Sequence, residues 1–445
     1  MNVKTTMRAG IYEFEFVDEG ITITMKNIHS EKGQVIARMY VKADPSKHVN
    51  LTGSFLDQMT LNMNSNSGVN SKVTAIKTFS EMIEDVPWDS IIRHCAIHTT
   101  MKFEEGHSLV MIGNLPPREE VPYMLHPLIR KDVPCILYGE SGIGKSYVAL
   151  FLALLITNEI PAVGLTPRKA NVLYLDWEDG EQNMDERLKA LAKGLDIETP
   201  QLYYQYMDGN LRERLDMVAE RISKNDIGLI IVDSKGASLG GRINEADTTV
   251  QLFNSIRSLR VTSIVIDHVA KQSAIGPIGS TYTVAEARNV WEMASTKTLG
   301  DNNLRIGFYH KKTNMGKIHD AFALDFIFDE NVNGIVDKVS VQSADVGEDD
   351  KTRASLYLWQ RIQKFLELQA MPDGTFISTP VEEIRLGCPD KQGKFPDIDT
   401  VTARLSDKKY NGQEGFWERS NTGEYRFLPV GASRLNSPII NKETW

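Results

Sequence analysis

The stretch CILYGESGIGKSYVALFLAL, Cys135 to Leu154, sets glycines, hydroxyls and one lysine between two apolar segments. Val133–Tyr138 reads as a buried strand, and the residues after the lysine read as an apolar helix. The spacing Gly139-x-x-x-x-Gly144-Lys145-Ser146 matches the P-loop at every fixed position. In such a turn Gly139, Glu140, Ser141, Gly142, Ile143 and Gly144 direct backbone N–H groups inward around a phosphate chain. The helix N-terminus adds partial positive charge, Lys145 reaches the β and γ phosphates, and the Ser146 hydroxyl ligates Mg²⁺. A plain glycine-rich turn is the competing reading. The complete match, placed between a strand and a helix, decides for a nucleoside triphosphate, with ATP and Mg²⁺ as the expected cofactors.

Around this motif the composition is that of an ordinary soluble protein. Of 445 residues, 41% are hydrophobic and 24% charged, and the length suits two to four domains. The net charge of −9 argues against a generally basic surface but leaves room for a local basic channel. Cys95, Cys135 and Cys388 lie far apart with no C-x-x-C pair, as expected of a reduced protein without disulfides or a zinc site. The N-terminus shows no charged-then-apolar leader, and the apolar run Val148–Ile156 is too short to span a bilayer. A cytoplasmic protein with no membrane partner is the expectation.

The chain changes rhythm twice. Residues 1–118 begin with period-two alternation broken at Asp18-Glu19-Gly20 and Glu31-Lys32-Gly33, which predicts a three-strand antiparallel meander. Helical patterns follow around Val73–Ile83 and Trp88–Phe103, giving a small α+β domain. His94, His98 and His107 lack acidic or cysteine partners at metal-binding spacing and read as packed or solvated histidines. From 119 to 345 short apolar strands alternate with helices: Pro134–Tyr138, Asn171–Asp176, Leu202–Met207, Gly228–Asp233 and Thr262–Asp267. That order predicts an α/β fold with a parallel, doubly wound sheet, extended by β-rich segments near Asn289, Asn303 and Phe322. Residues 346–353 read as a linker. In 354–430 the order is helix (Ala354–Gln369), short strand (Thr375–Ile377), helices Pro380–Leu386 and Ile398–Asp407, and a hairpin turning at Asn421-Thr422-Gly423. It is the order of a winged helix. Residues 431–445 read as a tail.

Phosphoryl transfer needs a metal-side carboxylate, a group that orients water and a sensor of the γ-phosphate. Asp233, closing the apolar strand GLIIVD, supplies the first and joins Ser146 as a metal ligand. Ser234 follows it, so the base must come from elsewhere. The strand VLYLD ends at Asp176 and leads into Glu178 and Asp179, and strand carboxyl ends in an open α/β sheet face the ligand crevice. Glu178 is the expected base, with Asp179 second; the competing reading is a pair of helix-capping carboxylates. His268, just past the strand SIVID, is the expected sensor.

Taken together, these features resemble the RecA-like ATPases over residues 125 to 330. Within them, YLDWEDGEQNMDERL and IDHVAK are similar to the RepA-like hexameric replicative helicases and their mobile-element relatives. The resemblance implies Lys145 as P-loop lysine, Glu178 as catalytic glutamate, Asp233 as metal-side aspartate and His268 as histidine switch. HKKTNMGK resembles the family's K-x-N-[YM]-G stretch through Lys312, Asn314 and Gly316. In such rings a neighbouring subunit delivers a cation to the triphosphate from this region. Related ring helicases carry arginine where this chain has Asn314, so Lys312 is the first expectation for that cation, followed by Lys311 or Arg305. The implied partners are further copies in a hexameric ring, single-stranded DNA and replication proteins. The N-terminal meander and the C-terminal domain lie outside the resemblance.

Two glycine- and serine-containing loops leave strand ends and are expected to contact nucleic acid. One carries Lys235 and Arg242, the other Lys271; neither interleaves aromatics, so phosphate contact rather than base stacking is the expectation. In the C-terminal domain the helix DIDTVTARLSDKK offers Thr400, Arg404, Lys408 and Lys409, with Arg419 and Arg426 on the hairpin. Asp390, Asp407, Glu414 and Glu418 dilute that charge, leaving DNA and protein both open as its partner. The absence of an N-K-x-D stretch after the fifth strand argues against a GTPase. An ATPase that remodels or regulates a protein partner is the alternative from another class.

Overall fold

The computed structural model describes residues 2–428 apart from 9, 32, 49–55, 80–85, 107–111, 114–121, 199–200, 241–245, 270–276, 278–279, 297–301, 315, 370–375 and 413–414. The chain opens with five strands, β1 (Val3–Arg8), β2 (Ile11–Phe16), β3 (Ile21–Glu31), β4 (Gln34–Ala43) and β5 (Leu56–Asn62), paired antiparallel in that order. The expected meander has three strands. β1 lacks apolar alternation because its side chains are mostly exposed at the sheet edge, so period two never shows there. Helices α1 (Asn66–Phe79) and α2 (Trp88–Glu105) follow, and Val69, Val73, Ile76, Trp88 and Ile91 share a core with Phe14, Phe16, Ile23 and Met39. His94 packs edge-on against Phe16 at 5.8 Å and beside His98 at 4.1 Å. No metal-holding cluster occurs among the described residues, and His107 lies outside them.

Next come β6 (Tyr123–His126), β7 (Ile129–Arg130), β8 (Pro134–Gly139), α3 (Lys145–Asn158), β9 (Thr166–Pro167), β10 (Asn171–Asp176), α4 (Glu181–Gly194) and β11 (Tyr203–Tyr206). After α5 (Leu215–Lys224) run β12 (Ile227–Asp233), α6 (Lys235–Ser238), α7 (Ala246–Ser258), β13 (Thr262–His268), α8 (Ser280–Glu286) and the strands β14 (Asn289–Thr296), β15 (Asn303–Thr313), β16 (Phe322–Glu330) and β17 (Val336–Ala344). Compactness divides the chain into two units: Met1–Val121 with Gly209–Gly228 and Asn254–Val261, and the remainder. In the first unit α5 lies against β3, where Lys26 donates to Glu220 at 2.8 Å.

In the second unit nine strands form one sheet in the order β11-β10-β12-β13-β8-β14-β15-β16-β17. β8 lies parallel between β13 and β14, while β14 to β17 are antiparallel neighbours. All six residues of β8 are buried, as expected for a strand covered on both faces. The apolar run in α3 is likewise buried core, with Val148–Ile156 packed among Ile136's neighbours Cys135 and Leu137, Tyr174 and Leu191. The sheet is parallel-dominated around β8 and fits a RecA-like core. A second small sheet, β7-β6-β9, was not legible because its strands are two to four residues long.

The segment expected as a linker is tied down. Val346 is buried with Tyr309 and Leu356, Lys364 donates to Asp345 at 2.9 Å, and Asp350–Ala354 forms α9. The single helix expected from Ala354 is instead α9 and then α10 (Leu358–Glu367), because the Gln360 side chain accepts the Tyr357 N–H at 3.1 Å and starts a new helix there. α11 (Val381–Leu386), α12 (Ile398–Ser406), β18 (Trp417–Arg419) and β19 (Tyr425–Phe427) are the last elements among the described residues, with Thr379 bridging to Tyr425. Trp417 anchors this region, donating its indole N–H to Leu405 O at 3.0 Å.

Candidate active site

The P-loop conformation needs glycine at two places for different reasons. Gly142 has φ +79° in open space, a left-handed conformation that side chains disfavour. Gly139 has no room: a Cβ there would stand 2.6 Å from the Met293 carbonyl oxygen. Lys145 opens α3 and is 7% exposed. Its ammonium donates to Glu140 O at 2.6 Å and Gly139 O at 3.3 Å, and lies 3.3 Å from His268 Nδ1. Burial pushes its pKa down, opposed first by the charge of Asp233 and then by Glu178. Glu140 and Ser141 are exposed at the loop tip, and Ile143 is buried beneath it.

Asp233 ends β12 opposite the start of α3. The Ser146 hydroxyl donates to its Oδ2 at 2.9 Å, and so does the Tyr174 hydroxyl at 2.5 Å. Burial raises the Asp233 pKa to about 6; the two hydroxyls pull it down and the charge of Glu178 pushes it up. Ser146 and Asp233 thus present two hard oxygen donors beside the phosphate turn, a set that fits Mg²⁺ with phosphate oxygens and water completing the shell.

The two carboxylates after β10 have separate surroundings. Glu178 Oε1 accepts from Ser234 Oγ at 2.5 Å, which holds it next to Asp233. Asp179 forms an ion pair with Arg187 instead. Neither caps α4, whose N-cap is Gly180. Asp176 instead shapes the turn before the helix, accepting the N–H groups of Glu178 at 2.9 Å and Gly180 at 3.0 Å and the Tyr204 hydroxyl at 2.7 Å. His268 ends β13, the neighbour of β8, with its pKa lowered by burial and then by Lys145. Glu178, Lys145, Asp233 and His268 therefore meet at one end of the sheet. Tyr174 and Ser234 were missed, since each serves by a hydroxyl within a strand or turn that looks structural in one dimension; Asp176, a candidate carboxylate at the strand end, holds the turn instead.

Other expected residues are placed differently. Lys235 is a correction: it is 0% exposed, its ammonium donating to Asp267 Oδ2 at 2.9 Å and Thr283 Oγ1 at 2.8 Å, so it offers nothing to a phosphate backbone. Arg242 and Lys271 lie outside the described residues. Lys312 donates to the carbonyls of Val284, Ala285 and Ala287 at 2.5, 3.3 and 2.9 Å, closing the last turn of α8. Lys311 pairs with Glu292 at 3.1 Å, and Arg305 grips Asp325 at 2.7 and 2.9 Å. Asn314 is exposed. Arg404 reaches Asp407 at 3.4 Å on α12, and Lys408 is exposed beside it.

Residues 99–274 match the family described as an AAA domain. Among solved structures, a KaiC-like protein from the hyperthermophilic archaeon Pyrococcus horikoshii OT3 aligns at 12% identity and TM-score 0.34, over 50% of this chain and 93% of that one. No curated protein matches. No helix among the described residues is long and apolar enough to cross a membrane. The phosphate turn, the parallel-dominated sheet around it and the AAA-domain match support a RecA-like P-loop ATPase.

Proposed function

We propose that the chain is a Mg²⁺-dependent ATPase working as a ring-forming motor of the replicative helicase kind, with single-stranded DNA as its track. The observation that carries the hydrolytic part is the convergence of Glu178, held by Ser234, on Asp233 and Ser146 while Lys145 touches His268. Lys145 exchanges its carbonyl partners for the β and γ phosphates, and the P-loop N–H groups surround them. Ser146 and Asp233 would hold Mg²⁺, which would supply neutralisation of the phosphate charge. Glu178 accepts a proton from the attacking water, and Ser234 fixes the carboxylate's direction. With the phosphates in place His268 gives up its contact to Lys145 and faces the γ-phosphate, so its hydrogen bonding changes on hydrolysis.

The ring and the DNA rest on the resemblance of YLDWEDGEQNMDERL, IDHVAK and HKKTNMGK to the hexameric helicases. The sequence of the C-terminal segment predicts a winged helix. Its described residues carry α10, α11, α12 and the hairpin β18–β19, with Thr379 bridging singly to Tyr425 and no strand element at the expected Thr375–Ile377. The segment is nearly charge-balanced, with ten Lys and Arg against eleven Asp and Glu between 354 and 430. That balance favours a protein rather than DNA as its partner, and keeps a protein-remodelling ATPase as the second reading. ATP turnover with and without single-stranded DNA separates the two. The motor reading expects turnover to rise severalfold on adding DNA; unchanged turnover across salt and DNA length sinks it and leaves the remodelling ATPase.

A further inference from the structure

Three consecutive residues at the end of β12 reach three different parts of the site. Asp233 takes the hydroxyls of Ser146 and Tyr174, Ser234 takes Glu178, and Lys235 turns inward to Asp267 and Thr283. The Lys235 and Asp267 side chains are 0% and 1% exposed. An ion pair so enclosed is a poor way to gain stability over apolar packing, but it fixes geometry because either charge alone is costly to bury. The geometry it fixes is specific. Asp267 Oδ2 meets Lys235, while Asp267 Oδ1 accepts the backbone N–H of His268 at 2.8 Å. Thr283 lies in α8, and the carbonyls at the end of α8 hold the Lys312 ammonium. Val269 and Pro277 bridge between β13 and α8, so the chain from His268 returns toward this same node.

We propose that Lys235 is a positioning residue for hydrolysis: through Asp267 it sets the backbone carrying His268, and through Thr283 it sets the helix whose last turn holds Lys312. The inference rests on the ATPase reading and adds a route by which the contact made by His268 bears on Lys312. A change at His268 pulls on Asp267, Asp267 shares the Lys235 ammonium with Thr283, and α8 moves with its carbonyls. Lys312 is released or retained accordingly.

The test is steady-state ATP hydrolysis by the full chain, with double-mutant cycles and thermal midpoints measured alongside. Lys235→Met is expected to lower kcat by about tenfold or more with KM for ATP within about threefold, the signature of lost transition-state positioning. Combined with His268→Ala, it is expected to be no slower than the slower single variant, because both act through one contact. Thr283→Val keeps the ion pair and removes the hydroxyl that accepts from Lys235; its loss is expected to merge in the same way with that of Lys312→Ala. Losses that multiply in both cycles, or a Lys235→Met chain with the parent's kcat, overturn the inference while leaving the ATPase intact. Should Lys235→Met fail to fold, the Thr283→Val cycle decides alone. A parent chain that hydrolyses no ATP overturns the functional reading itself, and this inference with it.

Discussion

Glu178 and Asp179 are adjacent carboxylates with unlike surroundings, and the difference assigns their work. Glu178 receives a short hydrogen bond from Ser234 next to the metal-side Asp233, whereas Asp179 is neutralised by Arg187, whose guanidinium also lies 5.4 Å from the Tyr147 ring. Glu178→Gln keeps shape and removes the proton acceptor. It should lower kcat by about 10²–10⁴-fold, the range for a positioned general base, while nucleotide affinity stays near the parent's. Asp179→Asn should cost far less turnover. Rapid-quench hydrolysis with fluorescent-nucleotide titration checks both, and a reversal of the two variants would reassign the base. Lys145→Ala should lose nucleotide binding outright, since the charge-assisted phosphate contacts go with it. At this scale the sequence was legible for residues that follow apolar strands: Asp233, Glu178 and His268 were expected at strand ends, and the structure brings them together there. It was not legible for Lys235. A lysine among small residues after a strand looks exposed, and its buried partners Asp267 and Thr283 lie 32 and 48 positions on, with no local pattern marking the pairing.

Elements announced themselves in proportion to how evenly they are buried. The strands β8, β10, β12 and β13 are continuous apolar runs, and their expected bounds differ from the observed ones by a residue or less. Where burial is partial, as in β1, or where an element is only two residues long, as in β7 and β9, the pattern carries no signal. Between β14 and β15 the sheet encloses a polar device that periodicity could not show. His310 stacks on Trp291 at 4.3 Å, its Nε2 lies 2.8 Å from Asn289 Oδ1, and its Nδ1 accepts the His319 N–H at 3.0 Å. Those partners require the neutral ring with its proton on Nε2, since a proton on Nδ1 would face the His319 N–H. Burial takes His310 down to about 4, helped by His319, and burial with neighbouring His126, Lys317 and Arg130 takes His319 to about 4. A folded-state pKa below the ordinary value near 6.5 gives stability that is complete above that value and is lost as pH falls toward 4. The urea midpoint should therefore decline between pH 6.5 and 4, by at most about 1.4 kcal/mol per pH unit for each proton taken up. His310→Phe preserves the stack on Trp291 and should flatten that decline; an unchanged pH profile in this variant would remove His310 as its source.

Over the whole molecule the question is whether one chain makes a complete site. The groups proposed to hold, ligate and activate converge within the second unit, yet the three cations expected for the neighbour's triphosphate are each engaged within their own chain. Lys312 closes α8, Lys311 pairs with Glu292, and Arg305 is held by Asp325 and Glu348. Stabilising charge on the transferring phosphoryl group by an added cation contributes about 10³–10⁵ in rate where it is delivered from a partner, so a site without one is slow. In the proposed head-to-tail ring the face carrying HKKTNMGK would meet the neighbour's P-loop, and each active site would then draw on two copies. Lys312→Ala should cripple hydrolysis while nucleotide affinity stays near the parent's, because the lysine acts on another copy's triphosphate. Lys145→Ala destroys the site in its own copy but still offers an intact Lys312. When the two variants are mixed in equal amounts and exchange freely, about one interface in four pairs a sound P-loop with a sound Lys312, so roughly a quarter of the parent's turnover should return. That recovery should appear only after exchange and vanish on dilution below the assembly threshold, which a lysine acting within its own chain cannot reproduce. If the mixture stays as inactive as its components while the parent assembles and turns over, Lys312 serves its own α8 alone and the trans cation must be sought elsewhere.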